Sequence, residues 1–282
     1  MLTIKETDDL EKIYRYHIRC NAPYFFPLSF DDWKRSFDGD VDGQGRLLFR
    51  KLTTKAAYDG DQLIGFIQYG RSAFGFDDRG ELSDQVSYPI IRNLYFDADR
   101  ADSGALLLKD ALDDLGSEAR VYAFFHYFGM SCFARHGKLF ETHGHVENLL
   151  KQQGFTVEHE NVYYSSLLTG GETSQVEINA QAQTEGGQQY MDFLLAGSHV
   201  GGCEIHYVDS HTAYLRWIYI NGELTGQGIA TKCMEALKLW LYQQGIRRFD
   251  TDTALTNTVA QHYYEKNGFH REGISRSYYT LA

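Results

Sequence analysis

The chain has 282 residues, of which 43% are hydrophobic and 23% are charged. This composition is that of a folded globular protein and excludes an intrinsically disordered chain, and the length allows two domains of ordinary size. The formal net charge of -11 at pH 7 disfavours nucleic acid and anionic membrane surfaces as partners.

The first half of the chain predicts helices at its start and then a hairpin, a strand and a further helix. Residues 1–30 hold no apolar block of signal-peptide length and no later stretch approaches a membrane span, so we expect a cytoplasmic protein that does not enter membranes. In chain order, the predicted elements are a helix over 9–18, strands over 55–58 and 63–69 around an Asp-Gly-Asp turn, a strand over 93–96 and a helix over 105–115.

The most polar stretch of the chain, 169–175, follows an aromatic strand-like run over 162–168. We interpret it as a domain boundary and expect domains over 1–168 and 174–282. A second polar patch, 180–189, predicts a loop or hairpin turn. The remaining predicted elements are strands over 190–195, 202–208 and 213–220, a helix over 229–244, a strand over 248–253, a helix over 258–267 and a strand over 275–281.

The two halves are a diverged internal repeat. Ile218 lies 124 residues after Leu94, and Gly228 lies 124 residues after Gly104. The later Gly-Phe landmarks, at 154 and 268, are 114 residues apart, so the first half holds about ten additional residues between its landmarks. Two copies of one α/β (α+β) fold, the second shorter, explain these spacings.

A glycine-rich loop joins the strand that ends at Ile220 to the helix that begins at Ile229. Such a loop presents backbone N–H groups to an anion at the positive end of the helix dipole. It lacks the Lys-Ser/Thr ending of a P-loop and has too few glycines for a dinucleotide fingerprint. A plain turn before a helix is the alternative interpretation.

The loop and a second motif together resemble the GNAT superfamily of acetyltransferases. The family's loop reads Arg or Gln, two residues, Gly, one residue, and Gly or Ala; here Thr225 stands in place of the long first side chain, before Gly226-Gln227-Gly228-Ile229-Ala230. The family's second motif reads Asn, two residues, Ala, three residues, Tyr, three residues and Gly-Phe, and residues 257–269 match every position.

The resemblance implies two tandem GNAT-like domains, each a mixed, mostly antiparallel sheet flanked by helices. It implies acetyl-CoA as cosubstrate and N-acetyltransfer by direct attack of a primary amine of a small molecule or peptide. Tyr264 would donate a proton to the departing thiolate, and backbone N–H groups over 218–220 would meet the thioester carbonyl. The implied cofactor-binding residues are Ile218, Ile220, Thr225, Gly226, Gln227, Gly228, Ile229, Ala230 and Asn257.

Two assignments stay open within this interpretation. Tyr264 could instead be a packed helix aromatic, or its role could belong to the adjacent Tyr263. No general base stands out, and the candidates are Glu204, His206, Asp209 and His211, or an ordered water. The acidic balance mildly favours a cationic acceptor, and the sequence carries no signal of oligomeric state.

The first copy has lost the residues that the resemblance makes functional. The repeat places 101–106 over the loop and puts His143, Val146 and Leu150 where the second copy has Asn257, Ala260 and Tyr264, so we expect a degenerate copy. We expect no metal, because the spacing of the histidines of its expanded region matches no closed zinc pattern and packing explains them equally well. These histidines are His126, His136, His143 and His145.

Two rival functions remain. A non-catalytic acyl-CoA-binding or regulatory module would retain affinity for coenzyme A without releasing free thiol. A purely structural protein of two GNAT-like folds would bind no coenzyme A.

Overall fold

The computed structural model describes residues 2–20, 22–25, 28–42, 45–116, 120–134, 136–171, 174–184, 187–224 and 226–281. Within these ranges, no helix is both long enough and apolar enough to cross a membrane. The chain forms two compact units: unit 1 comprises Met1–Glu160 with Ser275–Ala282, and unit 2 comprises Asn161–Ile274.

Unit 1 is a mixed sheet with helices. Its strands are β1 (Leu2–Glu6), β2 (Phe49–Asp59), β3 (Gln62–Ser72), β4 (Gly75–Phe76), β5 (Leu82–Ser83), β6 (Pro89–Phe96), β7 (Arg120–Ala123), β8 (Leu139–Phe140) and the first part of β9 (Thr156–Leu167). Its helices are α1 (Leu10–Arg19), α2 (Phe30–Gly39), α3 (Ala101–Leu115) and α4 (Gly144–Gln152), with short 3-10 turns at His126–Phe128, Ser131–Phe133 and Glu141–His143.

Unit 2 has the same kind of architecture. Its strands are the second part of β9, β10 (Val176–Ala180), β11 (Gln188–Leu195), β12 (Ser198–Tyr207), β13 (Thr212–Ile220), β14 (Arg248–Ala254) and the first part of β15 (His270–Leu281). Its helices are α5 (Ile229–Gln243) and α6 (Thr258–Lys266), with a 3-10 turn at Gly222–Leu224. The predicted turn over 180–189 joins β10 to β11, which pair antiparallel.

The strands of each unit are mostly antiparallel and include one parallel pair. In unit 1 the order runs β1-β2-β3-β6-β7-β15-β9, and β6–β7 is the parallel pair. In unit 2 the order runs β9-β14-β13-β12-β11-β10, and β13–β14 is the parallel pair. The predicted fold class, tandem mixed sheets flanked by helices, is confirmed.

The two strands β9 and β15 explain why the division of the chain differs from the polar stretch 169–175. Residues 161–167 of β9 pair with β14, so they belong to unit 2. Residues 278–281 of β15 pair with β7, and Ser275 and Arg276 pair with β8, so the end of the chain completes the sheet of unit 1. The polar stretch 169–175 does not predict this division of β9 and β15 between the units, because the division depends on long-range strand pairing.

The internal repeat is visible in the strand register. In unit 1, Gln68 pairs with Asn93 beside a β-bulge of β6, where Arg92 is the extra residue. In unit 2, Glu204 pairs with Trp217 beside a β-bulge of β13, where Arg216 is the extra residue. Because Trp217 lies 124 residues after Asn93, the spacing found in the sequence is reproduced in three dimensions.

The core of unit 2 lies between its sheet and α5. Apolar residues at helical spacing, including Cys233, Leu237 and Leu241, put one face of α5 in full burial. They pack with strand residues such as Leu215 and Phe249. Each such side chain stabilises the fold by about 1.5–3 kcal/mol relative to exposure.

In unit 1, helices also cover the other face of the sheet. Helices α1 and α2 place aromatic side chains over β3 and β6: the ring of His17 lies 5.3 Å from that of Phe66 and 5.1 Å from that of Tyr95, and Phe37 lies 6.2 Å from Phe66. In unit 2 the chain passes from β9 to β13 without a helix in its described residues.

Candidate active site

A cleft opens in unit 2 where the parallel strands β13 and β14 separate. Their pairing runs from Thr212–Arg248 to Leu215–Thr251 and ends there, although β13 continues to Ile220. The edge of β13 that faces β14 is therefore open to a cavity of about 480 Å³. Its lining residues are Arg216, Trp217, Ile218, Tyr219, Ile220, Ala230, Asp252, Thr253, Asn257, Val259, Ala260, Tyr263 and Tyr264.

The cleft is lined from both faces of the sheet. Ile218 and Ile220 pack against the core on the α5 side. Trp217 and Tyr219 alternate with them and are exposed, so they lie on the opposite side. A cofactor and an acceptor can therefore approach the gap from different faces.

The glycine loop before α5 has the backbone that an anion site needs. Gly226 and Gly228 have φ values of +81° and +75°, a conformation that favours glycine. Gly228 is the N-cap of α5 and has no side chain to satisfy the N–H groups of the first turn. The Gln227 Nε2 donates to the Glu223 carbonyl at 3.1 Å and braces the loop.

The other predicted loop residues fall into three cases. Ile229 is buried in the core and anchors the start of α5. Ala230 lines the cleft. Thr225 lies outside the described residues.

Asn257 brings α6 to the cleft as a helix cap. Its Oδ1 accepts from the Ala260 N–H at 3.2 Å, and its Nδ2 donates to Thr253 Oγ1 at 3.2 Å. This cap joins the end of β14 to the start of α6. Ile218, Ile220, Ala230, Asn257 and Tyr264 are thus brought together around one cavity.

Tyr264 and Tyr263 both line the cleft but have different partners. Tyr264 is 6% exposed, and burial raises its pKa above the usual value of 10, against a hydrogen bond with Thr251 that lowers it. Its hydroxyl therefore holds its proton at neutral pH. The Tyr263 hydroxyl donates to the Ala230 carbonyl at 2.8 Å, in the first turn of α5.

The four side chains considered as a general base are not among the described residues that line the cleft. Asp209 Oδ1 accepts from the backbone N–H groups of His211 and Thr212, which makes it a turn residue. His206 is buried within the sheet. Glu204 contacts the cleft indirectly, because it accepts from Trp217 Nε1 at 2.8 Å.

Asp252 is the cleft carboxylate that the sequence analysis did not single out. It accepts hydrogen bonds from Asn161 Nδ2 and from the Tyr214 hydroxyl, and it lines the cavity. The signal was present in β14, where Arg248, Asp250 and Asp252 alternate with less polar residues. That alternation predicts a polar face of β14. It does not predict that the pairing of β13 with β14 stops beside Asp252.

At the equivalent place in unit 1, the described residues line a much smaller cavity. Arg92, Asn93 and Tyr95, which correspond to Arg216, Trp217 and Tyr219, line a cavity of about 10 Å³. Aromatic side chains, among them Tyr24 and Phe124, line this small cavity. Leu150, which takes the place of Tyr264, is fully buried and has no hydroxyl.

The loop of unit 1 is also unlike that of unit 2. By the repeat spacing the start of α5 corresponds to Ala105, but α3 already begins at Ala101. A Cβ on Gly104 would lie 2.4 Å from the Phe96 ring, so this glycine serves packing. The Arg100 side chain at this helix start pairs with Asp59 and Asp102. Unit 1 is a degenerate copy.

The histidines of the expanded region of unit 1 take part in packing and hydrogen bonds. His136 Nε2 lies 3.2 Å from Ser275 Oγ, and His145 Nε2 lies 2.9 Å from the Phe96 carbonyl. Burial lowers the pKa of His143 to about 4. His126 Nδ1 lies 3.6 Å from a Glu158 oxygen. In the described ranges, no group of three or more His, Cys, Asp or Glu could hold a metal ion.

Comparison with known proteins agrees with this geometry. Residues 157–269 match the model of the acetyltransferase (GNAT) family. A search of curated proteins found no match.

Solved structures match over the whole chain. A tandem GNAT protein from the clavulanic acid biosynthesis pathway has 10% identity and a TM-score of 0.63, over 100% of this chain and 98% of that one. A GCN5-related N-acetyltransferase from Sphaerobacter thermophilus has 11% identity and a TM-score of 0.62, over 99% and 95%. A GNAT-family acetyltransferase from Colwellia psychrerythraea has 13% identity and a TM-score of 0.54, over 99% and 100%. The chain therefore has the fold of these GNAT structures, and its residues 157–269 are similar to the acetyltransferase (GNAT) family.

Proposed function

We propose that unit 2 transfers an acetyl group from acetyl-CoA to a primary amine of a small molecule or peptide, by direct attack in the cleft between β13 and β14. The observation that carries this proposal is the meeting of three features around one cavity. They are the open edge of β13, the glycine-capped start of α5 and the protonated hydroxyl of Tyr264.

The residues present suit acetyl-CoA. The N–H groups at the start of α5 would bind the pyrophosphate, because their dipoles point toward an anion and glycine leaves the backbone accessible. The pantetheine arm would lie along the open edge of β13, between Ile218 and Ile220 on one side and Ala230 and Asn257 on the other. When bound, acetyl-CoA supplies the thioester carbonyl that the amine attacks.

The chain's own groups would serve each part of the reaction. The amine nitrogen forms a bond to the carbonyl carbon, and the bond from that carbon to sulfur breaks. Backbone N–H groups over 218–220 stabilise the developing oxyanion. Tyr264 gives its proton to the leaving sulfur, and Asp252 accepts the proton that the amine loses.

A second candidate is a module that binds acyl-CoA without turnover. Its supporting observations are the departure from the family's loop at Thr225 and the absence of the four expected base candidates from the described lining of the cleft. Such a module would bind acetyl-CoA as tightly but would release no thiol.

Calorimetric titration of acetyl-CoA tests the location of the cofactor. We expect wild-type protein to bind and a Gly228→Trp variant to lose binding. Gly197→Trp is the matched control, since Gly197 has nearly the same φ, +77° against +75°, and neither glycine has an atom within 4 Å of an added Cβ. Gly197 lies in the β11–β12 turn, away from the cleft lining. Absence of binding to the wild type contradicts both candidates.

Thiol release in the presence of a panel of primary amines then separates the two candidates. Transfer requires amine-dependent release of coenzyme A and an acetylated product of matching mass. Tight binding without such release across the panel favours the non-catalytic module.

A further inference from the structure

Three aromatic side chains form an exposed surface on the face of the unit 2 sheet opposite α5. Tyr190, Trp217 and Tyr219 are 39%, 41% and 45% exposed. The Trp217 ring lies 6.1 Å from that of Tyr190 and 5.7 Å from that of Tyr219. We call this set the aromatic surface. Because Trp217 and Tyr219 also line the cleft, the aromatic surface continues into it.

The same sheet positions are covered in unit 1. Asn93 and Tyr95, the counterparts of Trp217 and Tyr219, are 6% and 3% exposed. Helices α1 and α2 cover that face, and His17 of α1 packs on Tyr95. The described residues of unit 2 hold no helix between β9 and β13. Large aromatic side chains therefore stand on the face that lacks the cover, which is typical of a binding surface.

A hydrogen bond holds Trp217, the central ring of the aromatic surface, in a defined orientation. Glu204, which is buried, accepts from Trp217 Nε1 at 2.8 Å and contacts Arg216 Nε at 3.2 Å. Tyr190 is the cross-strand partner of Glu204, so its ring also lies close to the carboxylate. Burial and then the Glu204 charge raise the pKa of Tyr190. A fixed indole plane next to a carboxylate is suited to a cation above the ring.

The charges around the aromatic surface favour the same ligand. Three carboxylates face it or the adjoining cleft: Glu204, Asp192 and Asp252. Arg216 offsets one of them, and His199 lies 3.5 Å from Asp192 and 6.4 Å, ring to ring, from Tyr219. The three carboxylates outnumber Arg216 and His199, so the named groups sum to negative charge, which attracts a cation and disfavours an anion.

We propose that the acceptor is an amine with a second cationic group. The second cation sits on the aromatic surface while the reacting nitrogen enters the cleft beside Asp252. This inference rests on the proposed acetyl transfer for the role of the bound amine. The two nitrogens must be separated by roughly 5–10 Å, one to two strand spacings, because the aromatic surface spans β11 to β13 and the cleft lies at β13.

Three amines of equal chain length test the inference by binding: pentane-1,5-diamine, pentan-1-amine and 5-aminopentanoate. Their tails are cationic, neutral and anionic. Each is titrated by calorimetry into protein saturated with coenzyme A. We expect the diamine to bind about tenfold more tightly than pentan-1-amine, with 5-aminopentanoate weakest. Equal affinities, or tighter binding of 5-aminopentanoate, overturn the inference.

Substitutions in the aromatic surface test whether it causes the preference for the diamine. Trp217→Leu and, separately, Tyr219→Leu should each remove most of the preference for the diamine, whereas Trp217→Phe should keep most of it because a ring remains. Trp240→Leu, a change on α5, is the matched control and should leave the preference intact. A preference that survives both Trp217→Leu and Tyr219→Leu contradicts the inference.

Turnover separates this inference from the proposed function. Thiol release that is as fast with pentan-1-amine as with the diamine, at equal kcat/KM, contradicts the second-cation site and leaves acetyl transfer standing. Preferential binding of the diamine, with no thiol released from acetyl-CoA in the presence of any of the three amines, supports the cation site and contradicts acetyl transfer to acceptors bound there.

Discussion

Replacing Tyr264 with Phe removes one hydroxyl group from the cleft and leaves the ring in place. The ring lies 5.8 Å from that of Tyr164 and 5.5 Å from that of Phe269, so packing is retained. The lost hydrogen bond with Thr251 costs about 1 kcal/mol of stability. We expect a folded variant that binds acetyl-CoA within about threefold of wild type, a change of under 1 kcal/mol.

The expected loss is in kcat. A tyrosine whose pKa exceeds 10 is less than about 0.3% ionised at pH 7.5, so nearly every wild-type molecule holds the proton that the leaving sulfur needs. Removing a positioned general acid lowers the rate by about 10²–10⁴-fold. That factor corresponds to about 3–5 kcal/mol in the activation barrier.

The assay is steady-state thiol release at saturating acetyl-CoA and amine, which gives kcat. Tyr263→Phe is the matched control, because it removes the neighbouring hydroxyl and its hydrogen bond to the Ala230 carbonyl. We expect its kcat to stay within about threefold of wild type, with a stability loss of about 1 kcal/mol. A Tyr264→Phe variant with near-wild-type kcat would refute the role of Tyr264, and a larger loss in Tyr263→Phe would transfer that role to Tyr263.

Three further outcomes follow from individual residues. Asp252→Asn should lower kcat/KM at pH 7 by about 10²-fold or more and recover as pH rises toward the amine's own pKa; a parallel pH profile contradicts the base role. Burial lowers the pKa of His17 to about 3, so unit 1 should lose stability as pH falls below 6.5, by about 2 kcal/mol at pH 5. Chemical denaturation should show a smaller acid loss for His17→Gln, which keeps an acceptor for Trp33 Nε1, and an unchanged loss speaks against His17 as its source. Gly201→Ala should cost about 1–3 kcal/mol, because the new Cβ would lie 2.2 Å from the Tyr219 carbonyl oxygen; an unchanged melting temperature contradicts this.

Several features of the fold and cleft could be predicted because their causes are local in the chain. Glycines are needed where the backbone turns with positive φ into α5, as at Gly226 and Gly228. Asn257 precedes a helix whose first turn it caps. The tandem architecture was visible because both copies keep the same spacing between strand, glycine and helix.

Tertiary structure alone decided which side chains share the cleft. Asp252 lines the cleft because the β13–β14 pairing stops one residue earlier, at Thr251. Trp217 lines the cleft from the other face of the sheet, where it pairs with Glu204 of β12. Tyr263 and Tyr264 are adjacent in sequence, yet they differ because the partner of Tyr263, the Ala230 carbonyl, belongs to another helix. Sequence determines such local backbone requirements directly, whereas the end of a strand pair depends on residues far apart in the chain.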